Sequence, residues 1–301
     1  RVYLESTGNL VEDEKMAVVL QEIVGRTHGR YVYPDVSGTA DSINFYPVRE
    51  MEAHDGVAIA ALGLGMTVAS GERAVRFSPA HPRWLPQFST PADTLENAQR
   101  QFRALDLDRA PDLAEPMLAD SNVVRLPLDA AEGHGTLWPV VATYSPDDDA
   151  VFDGLGRPGV RLVTLAPILK HGVFPLPGIL MRLLRLGELA MATGVPVEFA
   201  VDLAPLDGGG ARFAVLQLRP QGVRDCPGAA GLDDVAPGEA VVESRRVLGA
   251  GRLRGIRDLV VVRRETFDRR LMRLVAERRL PFFGVGVGMQ LLNVSQGGTL
   301  F

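Results

Sequence analysis

Apolar positions recur along this chain with two periods, and each period predicts a different element. From Val195 to Asp202 and from Arg212 to Pro220, apolar and polar residues alternate and β-branched side chains are common, which predicts two strands. Asp207-Gly-Gly-Gly210 between them is a turn signal, so the strands form an antiparallel hairpin. With side chains alternating between faces, Glu198, Ala200 and Asp202 share one face of the first strand. Phe213, Val215, Gln217 and Arg219 share one face of the second. Where these faces coincide, a carboxylate sits beside an amide and a guanidinium on an otherwise hydrophobic hairpin. The same pattern fits a solvated cross-strand charge pair.

The helical period is clearest from Ile179 to Thr193, where Leu180, Leu183, Leu184, Leu186, Leu189 and Ala190 form a broad stripe that Gly194 stops. A second helix is predicted from Thr90 to Leu107, capped by Thr90 with Pro91 in its first turn, and with Leu95, Phe102 and Leu105 on one side. Residues 16–24 read as a buried strand, 25–29 as a turn, and 36–46 as a strand broken at Gly38 and ended by Pro47. Residues 55–68 read as a helix entering Gly63-Leu-Gly65, followed by Met66 to Ser70 and a strand from Glu72 to Phe77. Pro79, Pro82, Pro86 and Pro91 mark an irregular connection. Strands are predicted over 122–128, 136–144 and 161–165. Past Pro220 the composition changes. Gly222 to Gly238 reads as a linker, 239–243 and 258–263 as strand-like, and 266–279 as an Arg-rich helix.

The 301 residues are 46% hydrophobic and 23% charged, an ordinary globular composition with length for two domains. A net charge of −5 does not describe a general nucleic-acid binder. Only Lys15 and Lys170 are lysines, so arginine supplies nearly all the positive charge. A single cysteine, Cys226, excludes an internal disulfide and a cysteine metal cluster, and fits a reducing, cytoplasmic setting. No run reaches about 18 apolar residues, so no membrane span is indicated. The chain opens on Arg1 without a signal-peptide pattern and stops just after Gly297-Gly298, which suggests part of a longer polypeptide.

Four motifs in order resemble the nucleotide-binding region of the phosphoenolpyruvate synthase and pyruvate phosphate dikinase family. They are Met16-Ala-Val-Val-Leu-Gln-Glu-Ile-Val24, Val36-Ser-Gly-Thr-Ala40, Ala61-Leu-Gly-Leu-Gly65 with Val68-Ala-Ser-Gly71, and the hairpin pair Val197-Glu-Phe-Ala-Val-Asp202 and Val215-Leu-Gln-Leu-Arg-Pro220. The resemblance covers roughly residues 10–221 and implies an α+β fold. That fold would be the C-terminal part of an ATP-grasp-like domain with a mixed or antiparallel sheet and flanking helices, followed by a smaller partial α/β domain. It divides the chain into a nucleotide-binding region at 1–221, with an insertion at about 82–118, a linker at 222–238 and a partial domain of unknown role at 239–301. It implies ATP and Mg²⁺ as cofactors and ATP-dependent phosphoryl transfer by positioning and charge neutralisation. By this resemblance Glu198 holds Mg²⁺, Gln217 and Arg219 complete the metal and phosphate site, and Gln21, Glu22, Ile23 and Val24 face adenine. Gly63 and Gly65 also contact the nucleotide. Met66 stands where the family often has Glu, and the family's phosphate-binding lysine and arginine would precede residue 1.

Small-molecule substrates follow from the resemblance, with pyruvate reached only through a domain absent here; neither a membrane nor nucleic acid is an expected partner. The alternative is a non-catalytic nucleotide sensor or scaffold whose Arg-rich end contacts a partner or nucleic acid. His171 is the last histidine, so a phosphohistidine relay is excluded from the residues beyond it. His28, His54, His81, His134 and His171 lack metal-ligand spacing and read as loop histidines on the surface. Phe283-Gly-Val-Gly-Val-Gly288 reads as a phosphate loop or, more simply, a glycine-rich strand. No Gly-x-Ser-x-Gly elbow is present, and Cys226 has no recognisable base.

Overall fold

A computed structural model describes residues 20–48, 50–109, 122–203 and 210–221. The expectations for 16–19, for the Asp207–Gly210 turn and for everything beyond Gln221 lie outside these residues. Among those described, the neighbouring strands all pair antiparallel, in three sheets with few helices. The first sheet has the order β12-β11-β3-β4-β5. Its strands are β3 (Val36–Asp41), β4 (Val57–Ala61), β5 (Val75–Phe77), β11 (Pro196–Asp202) and β12 (Arg212–Leu218). The second, β1-β2-β6-β7, contains β1 (Arg26–His28), β2 (Tyr31–Tyr33), β6 (Gln101–Asp106) and β7 (Val123–Pro127). The third, β10-β8-β9, contains β8 (Val141–Ser145), β9 (Ala150–Asp153) and β10 (Val160–Val163). The helices are α1 (Met66–Ala69), α2 (Pro91–Asn97), α3 (Leu128–Gly133), α4 (Ala166–Leu169) and α5 (Leu176–Met191). The fold is therefore mixed α+β. No helix among the described residues is long and apolar enough to cross a membrane.

The longest helix follows its pattern closely. Leu176, Leu180, Leu184 and Gly187 are its buried residues, spaced by four and three along one face. Pro177 occupies the first turn, and Ala192 in the left-handed region ends the helix two residues before the expected Gly194. Gly187 is small for a reason. A Cβ there would lie 2.8 Å from Val195 Cγ2 and 3.2 Å from Leu218 Cδ1, so the helix presses directly against the β11–β12 hairpin.

Five expectations are corrected. The helix starting at Thr90 ends at Asn97 rather than running to Leu107. Its cap is as expected, with the Asp93 backbone N–H donating to Thr90 Oγ1 at 3.0 Å, but Gln101–Asp106 is strand β6, burying Phe102, Ala104 and Asp106 in strict alternation. The helix expected over 55–68 contains strand β4 instead. An interior strand flanked by β3 and β5 is apolar on both faces and carries no clear period. Residues 20–24 form no strand; Leu20 is 94% exposed, and the turn expected at 25–29 contains β1, hairpinned to β2 through Gly29 at φ +61°. Gly38 does not break β3. It lies mid-strand because Phe199 Cζ would sit 3.0 Å from its Cβ, and the Ile59 carbonyl closer still.

Gln99, buried ahead of β6, joins all three sheets. Its side-chain oxygen accepts from the Leu62 backbone N–H at 2.9 Å, and its Nε2 donates to the Leu62 carbonyl at 2.9 Å. Its own carbonyl accepts from the Val163 backbone N–H of β10 at 3.1 Å. One turn of chain further on, Gly63 and Leu64 bridge to Arg103 of β6.

A second seam joins β1 and β2 to α3. The Tyr33 hydroxyl lies 2.7 Å from His134 Nδ1 and 2.9 Å from Thr136 Oγ1, and the rings of His28 and His134 stack at 5.0 Å. These two histidines are not simple surface groups. Burial, then the Arg26 charge and then His134 hold His28 below its ordinary value, against a smaller opposing pull from Asp35; burial lowers His134. Burial pushes the Tyr33 phenol up to about 12.

Replacing Gln99 with Leu removes one side chain and strands two backbone groups of fully buried Leu62. The expected loss is about 2–4 kcal/mol in urea unfolding, since each unpaired buried group costs roughly 1–3 kcal/mol; a loss under about 1 kcal/mol contradicts the role assigned to the amide. The histidine stack predicts a pH effect. Both groups bind protons more readily when unfolded, so their contribution is present above the ordinary value of 6.5 and is lost as pH falls below it. Asp41 and Asp202 are held above their ordinary 3.8 and act with the opposite sign at lower pH. Melting temperatures of the wild type and a His28→Gln, His134→Gln variant, compared between about pH 7.5 and 5.5, should fall more steeply in the wild type; equal slopes would remove the stack as the cause.

Candidate functional site

The five-stranded sheet has two unlike faces. Across all its strands runs the row Gln217–Glu198–Thr39–Ile59–Arg76, partly open to solvent. The neighbouring row, containing Phe199, Gly38, Ala60 and Val75, points into the core. The expected meeting of Glu198 with Gln217 is realised as a direct cross-strand pair. The expected shared face of Phe213, Val215, Gln217 and Arg219 is not. A β-bulge places Val215 opposite Phe199 while Gln217 stays opposite Glu198, so Leu216 is the extra residue that changes the alternation. Phe213 and Val215 consequently lie on the Phe199 face, and the Phe199 and Phe213 rings stack at 5.5 Å. Arg219 lies beyond the end of β12, where its backbone N–H donates to the Pro196 carbonyl at 3.3 Å. Its charge acts on Asp41: burial raises the Asp41 pKa, and Arg219 partly opposes that rise.

One row further along the sheet, a cleft of about 230 Å³ opens between the sheet and residues 21–24. Gln21, Glu22, Ile23 and Val24 form one wall; Pro34, Ser37, Ala200 and Leu216 form the floor; Leu64 and Gly65 close the end. Gln21 Nε2 donates to the Leu216 carbonyl at 3.1 Å, which ties the wall to the bulge. The Ser37 hydroxyl is occupied, donating to the Gly63 carbonyl at 2.5 Å. The structure thus brings Gln21, Glu22, Ile23, Val24 and Gly65 together around one space. Gly63 does not join them. It holds φ +87° with the Arg103 carbonyl 2.5 Å from where its Cβ would be, so its glycine serves a close approach between sheets. Glu198 and Gln217 border the cleft without lining it. Among the described residues no group of three or more His, Cys, Asp or Glu could hold a metal ion.

A buried ionic group sits at the other end of β11. Both Asp35 oxygens accept from Arg26 Nη2 at 2.9 Å, and Asp35 Oδ2 also accepts from the Leu203 backbone N–H at 2.7 Å. Asp202, fully buried, takes Arg212 Nη2 at 3.2 Å on Oδ2, while its Oδ1 and the Arg212 Nε are unpartnered. Burial raises the Asp202 pKa; Arg212 works against that rise and Asp35 adds to it. Nothing local to Asp202 in the sequence points to Asp35, which bonds the next residue, Leu203, from 168 positions away, or to its partner Arg26. Two larger grooves, about 430 and 360 Å³, lie elsewhere. Within these walls Arg161 pairs with Glu132 and Lys170 with Asp153.

Comparison with known proteins gives one family. Peptidase C26 matches residues 254–301. No curated protein matches the chain. The match corrects the expected membership of the phosphoenolpyruvate synthase and pyruvate phosphate dikinase family, and with it the ATP-grasp identity and the kinase or phosphotransferase function. The motifs that suggested that family have local structural reasons: Gly38 makes room for Phe199, Gly63 approaches Arg103, and the closing hairpin is the edge of a core sheet. The family match falls instead on Arg-rich and glycine-rich residues beyond the described ones, where the chain is similar to Peptidase C26.

Proposed function

We propose that residues 254–301 recognise an amide or γ-glutamyl-type group, the chemistry of a glutamine amidotransferase-like or peptidase-like protein. The match of those residues to Peptidase C26 is the observation that carries this reading. The body of residues 20–221 is then a separate ligand-binding part, joined through residues 222–238. Its ligand-facing groups are the cleft walled by Gln21–Val24 and the adjoining Glu198–Gln217 pair, with Arg219 at the sheet's edge.

Breaking an amide by acyl transfer calls for an activated nucleophile beside a base. Residues 254–301 contain the hydroxyls of Thr266, Ser295 and Thr299 but neither cysteine nor histidine, and the one thiol of the sequence is Cys226. The reading supported is recognition of the amide by the C-terminal part without thiol chemistry from within it. Calorimetric titration with L-glutamine, alongside an ammonia-release assay, tests this on the wild type and Cys226→Ser. Saturable binding by both proteins, with no ammonia above the protein-free control, is the expected result. Absence of binding overturns the reading. Ammonia release that disappears in Cys226→Ser replaces recognition with thiol catalysis.

A further inference from the structure

The groove of about 430 Å³ lined by α3 and the start of β10 holds two charges that the fold leaves unused. Four charged side chains line it, and two of them cancel. Arg161 grips both Glu132 oxygens, through Nε and Nη2 at 3.0 Å each. Its Nη1 donates to Thr143 Oγ1 at 2.9 Å and to the Arg157 carbonyl at 2.7 Å, so every nitrogen of that guanidinium is occupied. This pair is a neutral, fixed wall. Arg100 and Asp129 are the other two. Among the described residues neither joins an ion pair, and Arg100 commits only Nη2, to the Leu95 carbonyl at 2.7 Å.

The backbone brings these two close in the fold. Gln101 of β6 pairs with Pro127 of β7; Arg100 is one residue before that pair and Asp129 two residues after it. Both therefore stand at the same end of two neighbouring strands, yet they do not close on each other, because Arg100 is drawn toward the end of α2. A single unpaired charge on an open surface is ordinary. Opposite charges that line one groove and stay apart present a complementary pattern to a ligand.

We propose that this groove binds an α-amino acid with an apolar side chain. The ammonium meets Asp129, and the carboxylate meets the free edge of the Arg100 guanidinium. A singly charged molecule would satisfy one of these groups and leave the other without a partner. A zwitterion satisfies both, and beside the neutral Arg161–Glu132 pair it brings no net charge. The rest of the lining selects the side chain. Val160, 38% exposed, and Pro127 offer apolar surface. Gly159 offers bare backbone, since a Cβ there would run into the Tyr144 carbonyl. The volume is that of a small-molecule site. The groove shares no residue with the cleft at Gln21–Val24 or with residues 254–301, so the proposal does not rest on the amide reading.

Calorimetric titration of the full chain with L-leucine tests the assignment, because leucine carries no side-chain amide. Saturable binding is expected, weakened about tenfold or more in Arg100→Gln and in Asp129→Asn. Both positions are exposed, so melting temperatures should stay at the wild-type value. L-Leucinamide, which lacks the carboxylate, should bind the wild type and Arg100→Gln alike, and more weakly than leucine binds the wild type. Isocaproate, which lacks the ammonium, should do the same with Asp129→Asn. The two analogues on the wild-type protein keep the test independent of any effect of substitution on folding. Absence of saturable leucine binding overturns the proposal. So does leucine binding that either substitution leaves unchanged, or an analogue that binds the wild type as tightly as leucine.

Discussion

The Gln99 side chain takes the place of a strand that the fold lacks. Its amide meets both backbone groups of Leu62, as an antiparallel neighbour would, while its own carbonyl takes the β10 amide of Val163. Leu62 follows β4 of the five-stranded sheet, Gln99 precedes β6 of the four-stranded sheet, and Val163 ends β10 of the three-stranded one. Each sheet is small, and a small sheet with an open edge leaves backbone groups unpaired. Buried backbone groups must find partners, and here one carboxamide supplies them where the three sheets meet. The apolar core can then be continuous, with Phe77 and Phe199 from one sheet, Phe102 from the second and Val163 from the third all buried in one cluster.

The five-stranded sheet also has one polar face for a packing reason. With one face of the five-stranded sheet committed to the core, its polar side chains are confined to the other, and Glu198, Gln217 and Thr39 share a row for that reason. The bulge at Leu216 adds a local constraint. It frees a carbonyl that Gln21 binds, and so fixes the wall of the cleft. A regular β12 would place Gln217 on the face opposite Glu198, so a single extra residue keeps amide and carboxylate together.

Much of this was legible where a signal is local. The α5 stripe repeats over several turns, and the Thr90 cap with Pro91 names a helix start from neighbouring residues alone. The hairpin strands β11 and β12 showed in their alternation. Stops were harder. Asn97 and Ala98 carry no glycine or proline, so the α2 pattern ran into β6, whose Phe102 and Leu105 also satisfy a helical spacing. Strand β4 failed for the opposite reason, since burial on both sides erased its period. What no local pattern contains is pairing at a distance: Gln99 with Leu62, Asp35 with the end of β11, and the stacked histidines 28 and 134. Histidines read as loop residues were placed against Tyr33 by the packing of α3, not by their neighbours in sequence.

The family resemblance failed on the same distinction. Glycines and short alternating strands also serve any sheet whose strands approach closely, so their order alone did not separate a nucleotide site from a structural need. At Gly63 the need is visible, because a Cβ would collide with the Arg103 carbonyl that joins two sheets. At Gly65 it is not. A Cβ there meets nothing nearer than the Ser37 side chain at 3.8 Å, so packing alone does not require glycine. The two glycines of one motif thus do different work. The first holds the sheets together, and the second, with Leu64, lines the end of a cleft.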